Sequence, residues 1–105
     1  MQESCEPGAA VTSDLDTSFL QRADAVIALA NAQLAEATPA QASASTLYAA
    51  ARFNAWNSAR RCGSGPAMAA VKQETLDYFL EQYRVMLEEH LDWYIANFPE
   101  RPGER

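Results

Sequence analysis

The run from Pro66 to Phe98 constrains this chain most: roughly 33 residues without a helix breaker, enough for a helix of about 50 Å at 1.5 Å per residue. Pro66 follows Ser64-Gly65 and suits a helix start, because its missing N–H would have no intrahelical partner there. Pro99 restricts Phe98 and ends the run. At about 100° per residue, Met68, Leu76, Phe79, Leu80, Tyr83, Met86, Leu87, Leu91, Trp93, Tyr94 and Phe98 share one broad face. Glu74, Asp77, Glu81, Arg84, Glu88 and Asp92 fall opposite.

Two shorter helices precede it. Thr12-Ser13-Asp14 offers N-caps, and Asp14 and Asp16 place negative charge where a helix N-terminus favours it. From there to about Ala37, Phe19, Leu20, Ala23, Val26, Ile27, Ala30, Leu34 and Ala37 recur in threes and fours and mark one apolar side. Thr38-Pro39 stops that helix, Gln41 to Ser45 forms a connection, and a second helix is expected from about Ser43 to Arg61. Ala44, Leu47, Ala51, Ala55, Ser58 and Ala59 give the second helix a narrow small-residue face, while Ala49, Phe53 and Trp56 make a second apolar surface. Arg60-Arg61 sits well at its C-terminus, where cations meet the helix dipole. Cys62-Gly63-Ser64-Gly65 then supplies glycine for a left-handed cap and a reversal. Short connections make consecutive helices antiparallel. The expected fold is all-α with three principal helices, a short helical hairpin packed on one long C-terminal helix. Residues 1–11 read as a mobile tail, 12–99 as a single domain and 100–105 as a C-terminal tail.

Composition narrows what such a domain could do. With 105 residues there is room for one modest core, marginally stable unless association adds burial. A hydrophobic fraction of 49% excludes wholesale disorder, and no apolar run is long enough to span a bilayer. The start, Met1-Gln2-Glu3-Ser4-Cys5-Glu6, lacks the basic and apolar regions of a signal peptide, so a cytoplasmic location is expected. A formal net charge of −6 repels phosphate backbones, which argues against nucleic acid as a partner. Cys5 and Cys62 make neither a CxxC nor a zinc spacing and read as unrelated free thiols.

Residues that could carry chemistry are few. His90, the single histidine, lies among Met86, Leu87, Trp93 and Tyr94 and reads as a core or interface histidine hydrogen-bonded to a group such as Tyr48, Asn54 or Ser58. A carboxylate-bridged metal centre would want Glu-x-x-His, but Leu87 stands three residues before His90. No nucleophile accompanies it, and no phosphate-binding loop or calcium loop is present. The acidic face of the long helix reads as solvated, with Arg84 spaced for ordinary surface pairs to Glu81 and Glu88. No catalytic residue, metal ligand or cofactor is expected. Arg52, Phe53, Trp56 and Asn57, with Trp93 of the last helix, instead combine large rings and polar groups in the manner of an interface.

Leu47-Tyr48-Ala49-Ala50-Ala51-Arg52-Phe53-Asn54-Ala55 and Leu76-Asp77-Tyr78-Phe79-Leu80-Glu81-Gln82-Tyr83, continuing to Tyr94-Ile95-Ala96-Asn97-Phe98, resemble the bacterial domain-of-unknown-function family numbered 3144. The resemblance covers roughly Leu15 to Phe98 and departs from the family between Cys62 and Pro66. It implies an all-helical cytoplasmic protein from a bacterium and carries over no activity, cofactor or catalytic residue.

Two functional classes follow. The first is a non-enzymatic interaction or accessory protein acting through its aromatic helical surface, with itself or another protein as partner. A two-fold dimer would use the Phe53/Trp56 side of the second helix and the aromatic excess of the third, since large rings are costly to leave wet. The second is a small-molecule or metal-binding helical domain with a cavity around His90, Tyr48 and Asn54.

Overall fold

Side-chain caps mark where the second and third of the described α-helices begin. The computed structural model describes Cys5 and residues 17–98, and among these the chain is all-α. In order come α1 (Phe19–Ala32), a 3-10 turn (Gln33–Ala35), α2 (Pro39–Cys62), α3 (Gly65–Ala70) and α4 (Lys72–Ala96). The expected start at Thr12-Ser13-Asp14 and most of both tails lie outside the described residues. Within them, Arg22 N–H donates to the Ser18 carbonyl at 3.0 Å as α1 opens. The helix narrows into the 3-10 turn, where Glu36 N–H reaches the Gln33 carbonyl at 3.0 Å.

The second helix starts earlier than its spacing suggests. Thr38 is its N-cap in extended backbone, and Pro39 occupies the first turn rather than merely ending the helix before it. The Thr38 side-chain oxygen accepts from Gln41 N–H at 3.1 Å, while Gln41 Oε1 accepts from Thr38 N–H at 3.0 Å. This reciprocal capping box satisfies two donors that would otherwise be orphaned, so residues 41–45 are helix and not a connection. At the far end Gly63 takes φ 81°, the left-handed cap that its position predicts, and its N–H reaches the Ala59 carbonyl at 2.9 Å.

The long C-terminal run is divided. Ser64 caps α3 by accepting from Ala67 N–H at 3.2 Å. At Val71 (φ −114°, ψ 15°) the backbone leaves the helix, its N–H making a tight bond to the Met68 carbonyl at 3.1 Å. The Val71 carbonyl then accepts from both the N–H of Thr75 at 2.9 Å and its hydroxyl at 2.8 Å, and α4 runs on unbroken. No proline or glycine marks this break. Its physical setting is tertiary, because α3 is held against α2 while α4 continues past it.

Cys5 and Cys62 form a disulfide with Cα atoms 4.8 Å apart, which corrects the reading of two unrelated free thiols. The bridge ties a residue near the N-terminus to the corner between α2 and α3, and a pairing across 57 positions leaves no local spacing to detect.

Packing is open. Across the α1–α2 hairpin the Ser45 hydroxyl donates to Gln33 Oε1 at 2.7 Å. α3 touches both α2 and α4, whereas α2 and α4 approach closely over little of their length. Ala42, at 5% exposure, is the one buried residue among those described. Phe53, Trp56, Leu80, Ile95 and Phe98 all stay more than half exposed. The apolar faces picked out by periodicity are left largely uncovered by this single chain. No described helix is long and apolar enough to cross a membrane.

Candidate functional site

Where α2 and α4 diverge they leave a groove of about 770 Å³, closed at one edge by the end of α1 and the turn after it. The two walls differ in kind. From α2 come Leu47, Ala50, Ala51 and Asn54, small or slim side chains three and four residues apart that keep this wall shallow. From α4 come Phe79, Leu80, Tyr83 and Met86, and from the α1 side Ala30 and Leu34. Leu47, Leu80, Tyr83 and Met86 are each about half exposed or more, at 55%, 66%, 48% and 45%, so the walls are wet in the isolated chain. A smaller cavity of about 420 Å³ sits at the junction of α2, α3 and α4, between Ala55, Ser58, Met68 and Leu76.

The residues singled out from sequence do not gather in one place. Asn54 lines the groove, but Tyr48 and His90 are not among its walls, and both are exposed. His90 is thus exposed on α4 and no core histidine of this chain. Phe53 and Trp56 form a tilted ring pair with centroids 5.3 Å apart, and the Arg60 guanidinium carbon lies 5.7 Å from the Trp56 ring centre, within cation–π range. Arg52 and Asn57 are exposed on the same helix. Trp93 pairs edge-on with Tyr94 on α4 at 5.1 Å. Sequence reasoning missed Arg60 as a ring partner, although its i, i+4 spacing from Trp56 was there to be read.

Charge lies away from the groove. Arg84 donates through Nε and Nη2 to Glu81 at 3.2 and 2.9 Å, and through Nη1 to Glu88 at 3.0 Å. The Arg84 hydrogen bond, then its charge, holds the Glu81 carboxyl below the usual range, and Glu81 with Glu88 raises Arg84 in turn. All three side chains are mostly solvated. Among the described residues, no three His, Cys, Asp or Glu side chains are grouped to share a metal ion.

The observed arrangement, among the described residues, defines a small all-α protein with an apolar groove between two helices. Residues 19–95 match the family model described as "Protein of unknown function (DUF3144)", and the chain belongs to that family. No curated protein and no solved structure matches it significantly.

Proposed function

We propose that this protein is a non-enzymatic interaction or accessory protein that works as a two-fold dimer of the chain. The observation that carries this reading is the exposure of both walls of the groove, against a single buried residue among those described. Apolar surface is worth roughly 25 cal/mol per Å² when removed from water, and large contiguous patches are rare on chains that stay alone. Closed two-fold pairing is the commonest way for one chain to cover itself. Arg52, Phe53, Trp56 and Asn57 on α2, with Trp93 on α4, are the aromatic and polar surface offered to partners. Rings beside an arginine and an asparagine have the composition of interface anchors.

Light scattering at micromolar concentration tests the dimer. Twice the chain mass of 11.5 kDa is expected, with an unfolding midpoint that rises with protein concentration. A monomer mass with concentration-independent unfolding overturns it.

A further inference from the structure

The geometry points to the occupant of the groove: we infer that it is α4 of a second copy of this chain, inserted reciprocally between α2 and α4. This rests on the dimer reading above and deepens it, because it places the self-contact in the groove and leaves the Phe53–Trp56 ring pair outside.

The pattern of α4 is the first support. Leu76, Phe79, Tyr83, Met86, His90 and Trp93 are separated by three, four, three, four and three residues. That is the a/d alternation of a helix that packs along another helix for most of its length. Leu80, Leu87 and Tyr94 widen the same stripe on one side. Glu74, Glu81, Glu88, Asp77 and Asp92 all lie off it and Glu89 alone flanks it beside His90, so two α4 helices can meet with most of their carboxylates clear of the contact. On α2, Ser43, Leu47, Ala50, Asn54 and Asn57 repeat the same alternation, and the first four line the groove. The groove therefore presents two facing helix seams, and a third helix laid between them would use both.

Size and area agree with this. A helix about 10 Å across with a rise of 1.5 Å per residue occupies on the order of 120 Å³ per residue. A groove of about 770 Å³ then takes the inward half of about thirteen residues, roughly three and a half turns, which is room for more than the Phe79–Met86 stretch that forms its own far wall. Leu76, Leu80, Tyr83, Met86, Leu87 and Trp93 are each 42–66% exposed. Together they offer on the order of 600 Å². The small-residue wall of α2 adds to this, bringing the contact to the roughly 800 Å² per partner of a stable interface. The product is a bundle of α2 and α4 from each copy, a closed arrangement in which each chain both fills a groove and has its own filled.

The test uses the full chain with Leu80→p-benzoylphenylalanine, prepared as a mixture of nitrogen-15 and natural-abundance copies and irradiated. Mixed-isotope cross-linked peptides joining position 80 of one copy to residues 43–54 of the other are the expected result. A dimer mass with cross-links found only within one chain, or to other segments, overturns the groove assignment and leaves the dimer standing. A monomer mass overturns both. In parallel, Leu80→Glu should weaken association by at least about tenfold, since it would bury a carboxylate in the seam. Trp56→Ser should leave association within about twofold, because its ring lies outside the contact; the reverse ranking of these two variants would move the interface to the ring pair.

Discussion

At the scale of single residues, Gly63 carries the sharpest conformational demand. Its φ of 81° disfavours any side chain, yet a Cβ built there meets nothing within 4 Å. The cost of Gly63→Ala is therefore backbone strain alone, about 1 kcal/mol, and Gly63→Asn should lose less because asparagine tolerates the left-handed region. Urea unfolding of the two variants checks the order. Glu81 makes a second, pH-dependent prediction. Its folded pKa lies below the unfolded value because Arg84 bonds the carboxylate, so the ion pair contributes above the ordinary carboxylate range. That contribution fades as pH falls through the lowered folded value. Arg84→Gln should move the Glu81 titration midpoint upward in an NMR carboxyl titration, while solvent screening keeps the effect on stability small. A midpoint that stays put would remove Arg84 as the cause.

At the scale of elements, the caps decide what was legible. Thr38-Pro39-Ala40-Gln41 has the capping-box spacing, and the box forms with both hydrogen bonds. Thr38→Ala should cost about 1 kcal/mol and fray the first turn of α2, read as lost amide protection at Ala40–Ala42. Reading Pro39 as a stop alone hid that turn, because proline is equally at home at the end of one helix and the start of the next. The break at Val71 had no comparable mark. Ala70, Val71 and Lys72 are ordinary helix residues, and only the contact of α3 with α2 separates the short helix from the long one. Propensity is local, whereas this interruption is imposed from outside the segment.

At the scale of the molecule, periodicity identified which residues want cover without saying which chain supplies it. The α4 stripe looks the same in sequence whether α2 closes on it or leaves a groove. The Cys5–Cys62 bridge was equally hidden, and its loop of 57 positions makes it a large term. In the chain-entropy account such a closure is worth about 4 kcal/mol, so reduction should lower the thermal midpoint markedly, checked by melting with and without dithiothreitol. An unchanged midpoint would show that the crosslink constrains little in the unfolded chain. The openness between α2 and α4 also has a temporal consequence. Helices with local contacts form within microseconds of release from denaturant, so circular dichroism should recover first and independently of dilution. Closing the groove in the proposed dimer requires a collision, and the tyrosine and tryptophan signals should follow second-order kinetics.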